Sequence, residues 1–148
     1  MRHLVRAAIA IALATATALA GYAVSDAKQA DASTVLGPGL VTVTVNVHYS
    51  RFSISTLKVH AGSTVVFRVQ NNDPIAHEFI VGDASVHARH ERGTHPAHPP
   101  VPGEVSVSPG QLGETFYRFD RVGKYLFACH LPGHLAFGMS GYVEVIRA

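Results

Sequence analysis

The stretch Tyr125-Leu126-Phe127-Ala128-Cys129-His130-Leu131-Pro132-Gly133-His134-Leu135-Ala136-Phe137-Gly138-Met139 gathers three kinds of metal-donor side chain on one loop. It holds the only cysteine of the chain, a histidine five residues later and a methionine five residues after that. Thiolate, imidazole and thioether together form a soft, mostly neutral donor set, which suits copper in both its oxidation states better than a hard ion. One further histidine would complete a His2Cys set with a weak axial Met, the ligands of an electron-transfer copper site.

Working outward, Tyr125 to Ala128 reads as the end of a strand and Pro132-Gly133 as a tight turn. The chain can leave Cys129, reverse, and bring His134 back to the same point. Gly138 frees the backbone to return Met139, and Gly141-Tyr142-Val143-Glu144-Val145-Ile146 alternates as a closing strand.

From Phe127 to Val145 the chain resembles the C-terminal copper loop of the cupredoxins, the family of plastocyanin, azurin and rusticyanin, and its Cys-x4-His-x4-Met spacing is most similar to rusticyanin. The resemblance runs from Val41 to Ile146. It implies a first histidine ligand upstream, after a strand and an Asn-rich turn. Asn71-Asn72-Asp73-Pro74-Ile75-Ala76-His77-Glu78-Phe79 fits that description and nominates His77. The implied site is one type 1 copper per chain. His77, Cys129 and His134 would surround the metal in a roughly trigonal arrangement, with Met139 as the long axial ligand. Leu131, Pro132, Leu135, Ala136 and Phe137 would form an apolar patch at the edge of His134, sized for transient redox protein partners.

Two residues depart from the family pattern. Plastocyanin and azurin carry Asn directly after the first histidine ligand, where this chain has Glu78, a carboxylate able to shift the potential or compete as a ligand. The other is His130. Multicopper oxidases share the Cys-His-x3-His-x4-Met spacing, and copper nitrite reductases share a Cys-His pair; both need further histidines two or five residues after the first ligand. Those positions are Phe79 and Gly82 here. His130 is therefore expected to lie behind the ligands or at the surface, satisfying a backbone partner.

The rest of the chain agrees with an exported domain. Met1 to Ala20 has a charged start, an apolar run from Ala7 and the small-residue exit Ala18-Leu19-Ala20, which reads as a secretory signal peptide. The alternative is an uncleaved anchor and membrane tether, since the 18 residues from Ala7 to Val24 carry no charge. Without Arg2 and Arg6, ten Lys and Arg face ten Asp and Glu, and no basic face for nucleic acid is indicated. A lone cysteine in an exported protein calls for an explanation, and metal ligation supplies one. Residues 21–39 read as a flexible linker closing in Gly37-Pro38-Gly39, and residues 40–148 as the folded domain, a monomer.

Strand signals dominate that domain. Val41, Val43, Val45 and Val47 alternate with polar residues, and Phe52–Ile54, Leu57–Val59, Thr64–Gln70, Glu78–Val81, Glu104–Val107, Glu114–Phe119, Lys124–Cys129 and Gly141–Ile146 follow. About eight short strands with turns between them predict an all-β antiparallel sandwich; the resemblance makes it a Greek key. Gly82 to Gly103 is an insertion in which Ala84 to Arg92 has the pattern of a short helix. His87, His90, His95 and His98 allow either a solvated loop or extra metal binding.

Three functions follow, of which the complete ligand set favours the first: a one-electron carrier on the periplasmic or extracellular face of the cell membrane. Copper sequestration, delivery or resistance is the second, and it predicts more than one copper per chain. An oxidase or nitrite reductase would need a catalytic copper shared between subunits; no enzyme activity is expected.

Overall fold

Alternation of Val with Thr and Asn along Leu40–His48 leaves every second side chain apolar, and the structure buries Val43, Val45 and Val47 along that strand. The structure is a computed structural model that describes residues 34–93 and 100–148. In chain order its strands are β1 (Val35–Leu36), β2 (Leu40–His48), β3 (Arg51–Phe52), β4 (Thr56–His60), β5 (Ser63–Asn71), β6 (His77–Gly82), β7 (Glu104–Val107), β8 (Leu112–Phe119), β9 (Gly123–Ala128) and β10 (Ser140–Ile146). Among the described residues one helix, α1 (Ala84–Glu91), sits between β6 and β7.

The strands form two sheets. One runs β1-β4-β10-β9-β6-β7 and the other β3-β2-β5-β8. Their inner faces meet in a core of Val45, Val47, Val65, Phe67 and Val69 against Val59, Phe79, Phe127 and Val143. Phe67, Phe79 and Phe127 are wholly buried, with ring centroids 4.8 Å apart for the first two and 5.3 Å for the last two. Each such side chain stabilises the fold by about 1.5–3 kcal/mol through burial.

The all-β sandwich matches expectation, but the sheets are mixed rather than antiparallel. β2 runs parallel to β5, and β4 runs parallel to both β1 and β10. Period-two patterning reports which face of a strand is buried and carries no information on direction. Between β2 and β5 the chain crosses to the other sheet as β4 and returns, which leaves the two neighbours pointing the same way. Sheet pairing also includes residues before Leu40: Val35 and Leu36 pair with Lys58 and Val59. Residues 21–33 of the expected linker, the expected signal peptide, and His95 and His98 lie outside the described residues.

β6 is buried along its whole length. β7 and β9 flank its two edges, and α1 packs over the face turned away from the core. Asp83 caps α1 by accepting hydrogen bonds from the backbone N–H groups of Ser85 and Val86. The register Ile80↔Ala128 sets the start of β6 beside the end of β9. His77 and Cys129 thus arrive at the same end of the sandwich.

Candidate metal centre

The loop after β9 is held by its own backbone. His134 N–H donates to Leu131 C=O at 3.0 Å across Pro132-Gly133, and Gly133 has φ of 84°. That is the left-handed conformation a type II turn requires at its third position, where glycine is unstrained. The backbone of Met139 then closes the loop, donating to His134 C=O at 3.0 Å and accepting from Cys129 N–H at 3.1 Å.

These constraints bring three of the four residues expected as ligands into one cluster. One donor atom each from His77, Cys129 and His134 lies within 4.8 Å of the others. His134 Nδ1 is 3.2 Å from Cys129 Sγ, and the two imidazole centroids are 4.9 Å apart. His77 and Cys129 are buried, while His134 is half-buried. Met139 is wholly buried in the same core cluster as Cys129 and is tied to the other two through the loop backbone.

The donors fit a soft cation. His77 Nε2 donates to Asp73 Oδ2 at 2.9 Å, so in the neutral ring Nδ1 presents a bare lone pair; that atom is buried and has no hydrogen-bond partner. A buried orphan nitrogen is costly unless something binds it. Burial pushes the Cys129 thiol up to about 11, against backbone N–H groups of Glu78 and Leu131 that pull it down and the Glu78 charge that raises it further. Glu78 N–H reaches Sγ at 3.3 Å. The thiolate therefore needs a metal cation beside it to form at neutral pH. Burial and the neighbouring His77 charge lower the pKa of His134, which favours the neutral ring that a metal requires.

The sequence pointed to the Asn-rich turn but not to the work done within it. Buried Asp73 accepts from the backbone N–H groups of Tyr49 and Ser50, each at 2.7 Å, as well as from His77. Burial raises its pKa, but these donors outweigh it and hold the carboxyl below its ordinary value. Tyr49 and Ser50 have φ of 51° and 52°, a conformation uncommon outside glycine, and the Asp73 carboxylate stabilises it. Asn71, wholly buried, donates to the carbonyls of Ile75 at 2.8 Å and Val107 at 3.0 Å. An Asp four residues before the candidate histidine was the available signal.

Glu78 faces away from the core, as alternation predicts, yet α1 covers that face and the residue is buried. His130 has a side-chain partner rather than the backbone partner expected: its Nε2 lies 2.8 Å from His87 Nδ1. His87 and His90 are both buried, so this part of the insertion is not a solvated loop.

Residues 40–146 match the family model for copper binding proteins of the plastocyanin/azurin family. The chain is similar to the copper-resistant cuproprotein CopI of Rubrivivax gelatinosus, at 38% identity over 98 residues covering 64% of this chain and 59% of that protein. CopI of Vibrio cholerae is 32% identical over 92 residues, 59% of this chain and 53% of that one. The chain thus spans under two thirds of the length of both proteins. Auracyanin of Roseiflexus castenholzii shares the fold with a TM-score of 0.60 at 21% identity, covering 71% of this chain and 96% of that one. Rusticyanin of Thiobacillus ferrooxidans does so with a TM-score of 0.56 at 21% identity, covering 79% and 84%. With a two-sheet sandwich, a His-Cys-His cluster buried at two of its three residues and a match over residues 40–146, this chain belongs to the plastocyanin/azurin family of copper binding proteins.

Proposed function

We propose that the protein is an exported type 1 copper protein that holds one copper through His77, Cys129, His134 and Met139 and serves copper resistance. The observation that carries the site is the preassembled cluster of three donor atoms, with the orphaned Nδ1 of His77 among them. The names of the relatives carry the biological role. Bound copper supplies a one-electron change between Cu(II) and Cu(I). The protein's part is to fix the donors. Asp73 orients His77, Glu78 N–H steadies the Cys129 sulfur, and the closed loop holds His134 and Met139 in place.

A second reading, single-electron transfer between redox partners, rests on the surface around His134. Pro132, Ala136 and Phe137 are exposed there and Leu131 and Leu135 half-buried, with Phe137 at 75% exposure. An apolar rim around a half-buried ligand suits brief docking.

Copper-loaded protein tests the site through its visible absorption. An intense thiolate-to-copper band, lost in Cys129→Ala, is expected; copper binding without that band in the unmodified protein would remove Cys129 from the ligand set. The role is tested by deleting the gene in its host. Growth arrested by copper at concentrations the parent tolerates supports resistance, whereas unchanged copper tolerance with a respiratory defect supports the carrier.

A further inference from the structure

The inward face of α1 is made of histidine. His87 and His90, one turn apart, are each only 5% exposed, where apolar side chains would each contribute about 1.5–3 kcal/mol by burial. Buried imidazoles bring no such gain and must be paired. Their common partner is His130, joined to Cys129 by a single peptide bond. The His87 and His130 ring centroids lie 5.1 Å apart; His90 stacks on His130 at 5.7 Å and 24°.

Hydrogen bonding assigns the protons. His87 Nε2 lies 3.0 Å from the Leu126 carbonyl, which only accepts, so Nε2 carries the hydrogen and Nδ1 of the neutral ring keeps its lone pair. That lone pair faces His130 Nε2 at 2.8 Å. A histidine whose far nitrogen is pinned to a backbone carbonyl while its near nitrogen points at a second imidazole has the arrangement of a metal ligand with its outer support in place. Metal–imidazole bonds of about 2.0 Å at the right angle of a tetragonal Cu(II) site put two neighbouring nitrogens about 2.8 Å apart, the separation found between His87 Nδ1 and His130 Nε2.

There is also a way in. A cavity of about 290 Å³ is lined by His90 and His130 together with the carboxylates of Glu78 and Glu91. Those carboxylates place negative charge where a cation would enter. Beyond them, buried Glu104 accepts from His90 Nε2 at 3.0 Å and pairs with Arg89, which anchors the helix.

We propose that His87 and His130 form a second metal site, distinct from the His77-Cys129-His134 cluster, that takes a copper ion between His87 Nδ1 and His130 Nε2 as the His130 proton moves to its own Nδ1, with His90, Glu78 and Glu91 around its entrance. Imidazole donors suit copper, and Cu(II) binds such sites more tightly than the other divalent first-row metals. The site goes beyond the proposed function and stands whether or not Cys129 is a ligand.

Titration of the full apo chain with Cu(II), followed by desalting and copper analysis, tests it. Two coppers per chain are expected, with the thiolate band saturating at the first equivalent. His87→Gln and His130→Gln should each retain one copper and keep the band, while a His95→Gln/His98→Gln double variant should retain two. A wild-type stoichiometry of one, or two coppers in both His87→Gln and His130→Gln, overturns the proposal. The band certifies that each variant is folded. For a variant that loses it, pulsed EPR of the second copper in the His95→Gln/His98→Gln protein decides instead: coupling to imidazole nitrogen upholds the site, and its absence overturns it. Loss of the band with two coppers still bound in wild type would refute the Cys129 reading and leave this one standing.

Discussion

Asp73 is the residue through which the turn between β2 and β3 and the first proposed copper ligand depend on one carboxylate. Its two oxygens serve the Tyr49 and Ser50 N–H groups and the His77 ring together. Asp73→Asn keeps the shape but replaces one acceptor oxygen with a donor and removes the charge. Loss of a partner behind a metal-bound histidine lowers metal affinity by roughly 10–100-fold, and competition against a chelator of known affinity should show a fall of that size. Unchanged affinity would mean that the loop alone orients His77. Met139 allows a complementary test at the other side of the cluster. Its side chain is fully buried, and Met139→Leu conserves volume, so the fold should lose less than about 1.5 kcal/mol. Removing the thioether withdraws a donor from the proposed site, and voltammetry should register a changed potential while the thiolate band persists. An identical potential would exclude Met139 as a ligand.

At the scale of elements, the pairing of β9 with β10 delivers the ligand loop, and one glycine permits it. A Cβ on Gly141 would lie 2.6 Å from the Ser55 carbonyl oxygen and even closer to the Phe127 ring, contacts that real side chains do not make. Gly141→Ala must therefore displace Phe127, two residues before Cys129. A cost of about 1–3 kcal/mol is expected from such overpacking, read as a lower urea midpoint with an altered thiolate band; an unaffected midpoint would show that β10 can slide. The ligand loop itself was legible in the sequence because its information is local: donor types, their spacing, a Pro-Gly turn and two alternating strands. His77 was reached only by resemblance, since nothing near it says that β6 starts beside the end of β9. The helix was visible in outline, but not what it covers. That His87 and His90 turn inward onto His130 depends on contacts between residues some 40 positions apart, as in the His87–His130 bond. Single-strand patterning carries no trace of such contacts, and for the same reason it was silent on the parallel pairing of β2 with β5.

For the molecule as a whole, these buried polar groups predict how stability responds to acid. Burial pushes His130 down to about 4, helped by the charges of His87 and His90, and burial likewise lowers His87. In the unfolded chain both rings take a proton near 6.5. Below that pH the unfolded state binds protons that the folded state refuses, so stability falls as pH drops from about 6.5 toward 4. Glu104 acts lower down. Burial raises its pKa, but the hydrogen bond from His90 and the charge of Arg89 outweigh it and leave the carboxyl depressed. Its contribution is complete above its unfolded value of about 4.3 and is lost as pH falls through the lower folded value. Apoprotein should therefore lose stability in two stages, the histidines first and the depressed carboxyls of Glu104 and Asp73 second. Urea midpoints measured on metal-free protein at pH 7, 5 and 3.5 should decline at each step. His130→Gln should flatten the first step and spare the second, and Glu104→Gln the reverse. A midpoint constant between pH 7 and 5 would mean that the folded protein protonates these histidines as readily as the unfolded chain does, and that α1 lifts from the sheet to let it.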